Sequence, residues 1–200
     1  MFIKRMPAGI YAANCYIITD ENTKDALVID PGGDEDDIID YINEKGLKVQ
    51  AVLVTHGHFD HVGAVRVLAE KYDVKIYINE KDHRLMEKGA GAFGDISGSD
   101  IIYIGDNEVI KFGSIEIKAI ETPGHSPGSM SYLVKDDLFT GDALFQMSIG
   151  RTDLEGGDFD TLISSIVEKL IILGDHINVH PGHGMSSTIQ QERLYNPYLN

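Results

Sequence analysis

Apolar positions along this chain follow two rhythms. Residues 10–18, 26–29 and 51–54 are apolar at nearly every position, as in strands covered on both faces. Other stretches carry apolar residues only at helical spacing, such as Leu162, Ile163, Ile166, Val167 and Leu170. The first half therefore reads as strands at 2–6, 10–19 and 26–30, a helix, and a strand at 49–54. That helix is capped by Asp34, has Asp and Glu in its first turn, carries Ile38, Ile39 and Ile42 as its stripe, and stops at Gly46. A helix at 60–72, a strand at 74–78 and a short helix at 80–88 follow. The glycine-rich stretch 89–99 reads as a mobile excursion, either a lid or a variable loop. The second half gives strands at 101–104, 109–112, 115–121, 129–134 and 138–140, a helix at 158–173, a strand at 177–180 and a last helix at 186–194.

Strands with interleaved helices thus occur twice. Each half can form a mixed sheet with helices on its outer face, and two halves stacked sheet on sheet make a four-layer αββα sandwich. The fold class is α/β (α+β), and residues 1–200 are read as one domain, with no linker or fixed-period repeat.

Charge and composition narrow the function. A net charge of −15 repels phosphate backbones and leaves no basic stripe, which argues against a nucleic-acid partner. No run reaches the roughly 18–20 apolar residues of a membrane helix, so no membrane partner is expected. The stretch Met1-Phe2-Ile3-Lys4-Arg5-Met6-Pro7 lacks the apolar core of a signal peptide. The single cysteine, Cys15, forbids an intrachain disulfide and reads as a small buried hydrophobe, in keeping with a cytoplasmic location. Nothing in the sequence speaks to the oligomeric state.

The chemistry concentrates in Thr55-His56-Gly57-His58-Phe59-Asp60-His61, placed between a buried strand and a helix. Imidazole and carboxylate are the ligands zinc and iron take. An extended H-x-H sets His56 and His58 on one side of the backbone, while Asp60 and His61 turn away with the helix. Three further candidates lie just past strand ends on glycine-bearing loops: His125 in T-P-G-H-S-P-G, Asp142 in F-T-G-D-A and His183 in P-G-H-G. The count allows two divalent cations. His56, His58 and His125 form one site, Asp60, His61 and His183 a second, and Asp142 can bridge them. Zinc is expected, with iron or manganese also suited. Two such ions lower the pKa of a bound water from ~16 to about 7, so a bridging hydroxide is available as nucleophile.

The series T-H-x-H-x-D-H, T-P-G-H-S-x-G-S, F-T-G-D and P-G-H-G resembles the metallo-β-lactamase fold superfamily, and most of all a short bacterial form of its glyoxalase II (hydroxyacylglutathione hydrolase) branch. The likeness runs from Asn14-Cys15-Tyr16 to Asn196-Pro197. It implies the αββα fold, the seven ligands already named, Asp60 and His61 as catalytic residues, and a binuclear hydrolase of small-molecule thioesters. An alternative comes from the same family. F-T-G-D-A-L, Gly150-Arg151-Thr152-Asp153 and Glu192-Arg193-Leu194-Tyr195-Asn196-Pro197 are similar to persulfide dioxygenases, which use one iron held by two histidines and one aspartate. A non-catalytic role is the third possibility. Full-length glyoxalase II enzymes meet the carboxylates of glutathione partly from a C-terminal helical segment that has no counterpart before Asn200.

Remaining polar residues receive structural expectations. His83 and His176 read as surface residues. His180 is a candidate to orient a ligand through a hydrogen bond, and so is Asp30 at the end of its strand. Arg151 and Asp153 read as a pair bracing the metal loop, with substrate contact the other possibility.

Overall fold

The computed structural model describes residues 1–199. One sheet holds β1 (Phe2–Ala8), β2 (Ala13–Thr19), β3 (Asp25–Ile29), β4 (Lys48–Leu53), β5 (Ile76–Ile78) and β6 (Ile101–Tyr103), side by side in chain order. Its first three strands run antiparallel, and β3 to β6 run parallel. The second sheet contains β7 (Val109–Phe112), β8 (Ile115–Glu121), β9 (Met130–Val134), β10 (Asp137–Gly141), β13 (Asn178–Pro181) and β14 (Ser187–Thr188), in the order β14-β13-β10-β9-β8-β7. Between β10 and β13 in sequence lies a small hairpin, β11 (Leu144–Phe145) and β12 (Ser148–Ile149).

Alternating side chains of the same strands feed different cores, which is why the strands are apolar throughout. Ile17, Val28 and Val52 face outward onto α1 (Glu35–Lys45) and α3 (Val65–Tyr72), packing against Ile38, Ile42 and Leu68. Their neighbours Ile18, Leu27 and Leu53 face the second sheet and meet Ile117, Met130, Tyr132 and Phe139. On the far side, Leu138 and Val179 pack on Leu162, Ile166 and Leu170. Those belong to α5 (Phe159–Ser165) and its wider continuation Ile166–Leu170, which a tighter turn, Ile171–Leu173, follows. Three cores separate four layers, and the expected αββα sandwich is what forms.

Several local expectations change. The strand expected at 10–19 starts only at Ala13. Residues before it turn, with Ala12 at a φ of 52° donating its N–H to the Gly9 carbonyl at 3.0 Å, and Ile10 is 91% exposed. The helix expected at 60–72 breaks into α2 (Phe59–Val62) and α3. At the break, the Ala64 N–H leaves the helix ladder for the Pro31 carbonyl at 2.9 Å. Asp34 stands at the start of α1 without capping it, because its carboxylate accepts the Gly9 N–H at 2.8 Å instead. The last helix, α6 (Ile189–Tyr195), begins later than expected because Ser187 and Thr188 pair with β13.

The glycine-rich stretch 89–99 is packed rather than free. Ala90, Phe93 and Ile96 are buried, and Phe93 pairs with His58 as an isolated β-bridge. Phe59 donates to the Ala92 carbonyl at 3.0 Å and Gly94 to the Gly57 carbonyl at 2.9 Å.

The loop after β3 and the histidine loop after β4 press together. A Cβ on Gly32 would sit 1.8 Å from the Asp60 carbonyl oxygen, backbone against backbone. Gly32→Ala is therefore expected to destabilise the protein by about 1–3 kcal/mol, as overpacking does. A urea titration checks this, with an unchanged midpoint as the contrary result.

Candidate metal centre

Each candidate ligand leaves the C-terminal end of a strand: the histidine loop after β4, His125 after β8, Asp142 after β10 and His183 after β13. These ends lie together because cross-sheet hydrogen bonds hold them. Tyr132 Oη donates to the Val54 carbonyl at 2.8 Å, Met130 N to the Thr55 carbonyl at 2.7 Å, and Tyr16 Oη to the Pro181 carbonyl at 2.7 Å.

All seven sequence-derived candidates converge. His125 Nε2 lies 2.9 Å from His58 Nδ1 and 3.2 Å from His56 Nε2. His61 Nε2 and His183 Nε2 are 3.3 Å apart, and Asp60 Oδ2 is 3.3 Å from the latter. Within each trio the donor atoms lie within 4.8 Å of one another. Asp142 stands between them, with Oδ1 3.4 Å from His61 Nε2 and Oδ2 3.7 Å from both His125 Nε2 and His183 Nε2. His56, His58, His61 and His125 are buried, and His58, His125, Asp60, Asp142 and His183 border an open cavity of about 600 Å³.

Three features show that this donor set fits cations. Ring nitrogens face ring nitrogens, an arrangement hydrogen bonding alone serves poorly. Asp142 Oδ1 is buried without a hydrogen-bond partner. The residue beside His183 is a glycine whose Cβ would fall 2.2 Å from that same oxygen, so Gly182 keeps the space clear.

Charge is arranged to match. Burial, followed by the neighbouring His125, pushes the His58 imidazole down to about 3. Burial and the surrounding histidines push His56 well below its ordinary value as well. Both are neutral donors at neutral pH. Burial also opposes charge on His61, but Asp142, Asp30 and Asp60 outweigh it and raise the imidazole to about 9. Asp60, despite its burial, falls to about 2 through the hydrogen bond from His183 and the charge of His61.

Asp30 orients a ligand, as anticipated. It follows β3 with a φ of 49°, a left-handed conformation that Asp tolerates. Its Oδ2 accepts from His61 Nδ1 at 3.0 Å and from Thr55 Oγ1 at 2.5 Å, and its Oδ1 from Thr55 N at 2.7 Å. A proton held on Nδ1 leaves His61 Nε2 free for the centre. The Arg151 backbone carbonyl does the same for His125, accepting from Nδ1 at 2.7 Å. So residue 151 does brace a metal loop, but through its backbone. Its guanidinium is exposed and paired with Asp153 by two 2.7 Å bonds.

Two histidines depart from expectation. His180 does not reach a ligand: it stacks on Phe139 and bonds Asp137 Oδ1 at 2.9 Å and Ser186 Oγ at 3.1 Å. His83 is buried, not superficial, and hydrogen-bonds Tyr103 Oη at 2.9 Å. His176 is exposed beside Asp136 as expected. Cys15 is buried, and burial raises its thiol far out of the reactive range.

Asp82 was missed. It lies in α4 (Glu80–Glu87), a stretch so charged that it reads as a solvated helix, yet it is fully buried. Oδ2 accepts from Gly57 N at 2.8 Å and Ser126 Oγ at 2.7 Å, and Oδ1 from Gly128 N at 2.6 Å. One carboxylate therefore ties the loop of His56 and His58 to the loop of His125. Burial raises its pKa against these three bonds. Also unforeseen is the reach of Glu192 and Asn196 from the C-terminal helix. Glu192 Oε2 accepts from Met147 N at 2.8 Å, and Asn196 Nδ2 donates to the Ser148 carbonyl at 3.0 Å, fastening the β11–β12 hairpin beside the centre.

Comparison with known proteins assigns the architecture. The profile described as "Metallo-beta-lactamase superfamily" matches residues 8–183. The chain belongs to that superfamily. Among curated superfamily members, "Probable metallo-hydrolase YqgX" of Bacillus subtilis is 42% identical over 98% of this chain and 97% of its own. "Hydroxyacylglutathione hydrolase GloC" of Haemophilus influenzae is 41% identical over 100% and 99%. Among solved structures, the BLEG-1 B3 metallo-beta-lactamase superposes with a TM-score of 0.90 at 34% identity, covering 100% of both chains. TTHA1623 in a di-iron-bound form gives 0.85 at 32% identity, again with full coverage of both. ETHE1 from Myxococcus xanthus gives 0.85 at 28% identity over 98% of this chain and 84% of that one. Superfamily membership supports a hydrolase enzyme, and the His and Asp groups are suited to divalent metal ions. No helix among the described residues is long and apolar enough to cross a membrane.

Two outcomes follow from this geometry. Asp82→Ala strands the Gly57 and Gly128 N–H groups, at about 1–3 kcal/mol for each donor left unpaired, while the Ser126 hydroxyl keeps Ser129 Oγ at 2.7 Å. Amide exchange at Gly57 and Gly128 should accelerate; unchanged exchange would show that Asp82 does not hold the loops. In metal-free protein, His61 has a folded pKa near 9 against an ordinary 6.5. Its stabilisation is then fully present below pH 6.5 and lost as pH rises through about 9. Denaturant titrations in chelator should show a loss on the order of 3 kcal/mol across that window, absent in His61→Gln.

Proposed function

We propose that this protein is a binuclear metal-dependent thioesterase of the hydroxyacylglutathione hydrolase type, working in the cytoplasm on small-molecule thioesters. His56, His58 and His125 would hold one cation, and Asp60, His61 and His183 the other, with Asp142 shared between them. Zinc is the metal this donor set suits first, iron and manganese next. The observation that carries the reading is the pair of complete donor trios on either side of one carboxylate. The full-length match to GloC and the di-iron form of a neighbouring structure support it.

When bound, the cations supply ionised water near neutral pH and an electrophilic rest for the acyl oxygen. The chain's own residues do the rest. Asp30 and the Arg151 carbonyl fix the His61 and His125 rings, so their Nε2 atoms point inward. Asp60 and His61, the expected catalytic residues, act here by completing the second donor set at the cavity floor. Phe145, Ile149 and Leu154 line the cavity where a substrate would exclude water. Neither a serine nor a cysteine nucleophile is called for, and Cys15 is buried.

A second reading, a mononuclear-iron persulfide dioxygenase, is favoured by Gly150-Arg151-Thr152-Asp153 and by the ETHE1 neighbour. The metal count separates the two. Elemental analysis is expected to give two metals per chain, with turnover of S-D-lactoylglutathione. His183→Ala should retain about one metal and lose at least a hundredfold in kcat. One iron per chain with oxygen uptake on glutathione persulfide would replace this reading with the second. Two metals with no thioester turnover would move it to another substrate class.

A further inference from the structure

The walls of the cavity say more about substrate than its floor does, and what they say rests on the thioesterase reading. Above the ligands, the cavity is bounded by Tyr11, Phe59, Ala92, Phe145, Ile149 and Leu154. Tyr11 and Phe59 meet edge to face, ring centroids 5.4 Å apart, and remain 57% and 44% exposed. Two aromatic rings standing half in water at the mouth of a site offer apolar area that a substrate can cover.

Cationic partners for a substrate are scarce there. Arg151 is the one cationic side chain lining the cavity among the described residues. Its Nε and one terminal nitrogen bond the two Asp153 oxygens, so a carboxylate offsets its charge at the cavity rim. Arg5, close to the loop of His183, spends a guanidinium nitrogen on the Gly184 carbonyl at 2.7 Å and the Met185 sulfur at 3.7 Å. The chain as a whole carries a net charge of −15, which opposes the approach of an anion.

We propose that this site binds uncharged, apolar thioesters, held against the apolar surface offered by Tyr11, Phe59 and Leu154, more tightly than thioesters of a thiol that carries several carboxylates, which it still turns over at a lower kcat/KM. Acyl transfer to water needs no charge on the substrate. The S–C(=O) bond breaks, water contributes hydroxyl to the acyl carbon and its proton ends on the departing thiolate or solvent. Selection then comes from burial of apolar area, worth roughly a fourfold gain per methylene that reaches the wall.

Binding and turnover test this together on the metal-loaded protein. S-hexyl-N-acetylcysteamine and S-hexylglutathione, thioethers that cannot be hydrolysed, share one alkyl chain and differ in charge. Calorimetry at low salt is expected to show the neutral ligand binding at least tenfold tighter, with the gap narrowing at high salt as repulsion is screened. Hydrolysis of acetyl, butyryl and hexanoyl thioesters of N-acetylcysteamine should show kcat/KM rising with chain length. Tyr11→Ala and Leu154→Ala should each flatten that rise. Equal or tighter binding of the glutathione thioether at low salt would overturn the proposal, as would a chain-length slope unaltered in both variants. Failure of every thioester to turn over would instead remove the thioesterase reading, and the calorimetric comparison would still decide what the walls prefer.

Discussion

Buried imidazoles whose nitrogens face one another cannot satisfy each other with hydrogen bonds alone, and the architecture here is arranged to keep four of them in that condition. His56, His58, His61 and His125 are withdrawn from water and crowded ring against ring. Left to itself such a cluster would disperse. It persists because carboxylates and carbonyls grip each loop from behind: Asp30 on His61 and Thr55, the Arg151 carbonyl on His125, and Asp82 on both loops. The cost of holding donors in readiness is carried by the fold, which is how ligand geometry is fixed before an ion arrives.

The sandwich makes that grip possible. Two sheets back to back present the ends of β4, β8, β10 and β13 at one edge. Loops leaving both sheets can therefore converge on one point. The hydrogen bonds from Tyr132, Met130 and Tyr16 stitch the sheets together just below that point. The tight contact of Gly32 with the Asp60 carbonyl then sets the depth of the histidine loop.

Much of this was legible in the chain, for reasons that can be named. The doubly covered strands announce themselves as unbroken apolar runs, and the ligands by their glycine-flanked positions after such runs. Asp82 was not legible. Its neighbours Glu80, Lys81 and Arg84 give the helix the composition of a solvent face, and only the tertiary packing turns one carboxylate inward. His83 misleads in the same way. His180, near His183 in sequence, sits on the strand proper, where the pleat directs it onto Phe139 instead of the centre. The late start of β2 was hidden because Ile10 and Tyr11 are apolar yet exposed, and Tyr11 lines the cavity.

The fastening of the β11–β12 hairpin by Glu192 and Asn196 has an evolutionary corollary. Phe145 and Ile149 sit on that hairpin and line the cavity, and part of what holds them comes from α6 and the residue that ends it. The candidate ligands and part of the cavity wall are thus held by different segments. Drift in the closing helix can reshape what the enzyme admits while the machinery that cleaves it stays intact, one physical route by which a single inventory of ligands comes to serve relatives with different diets.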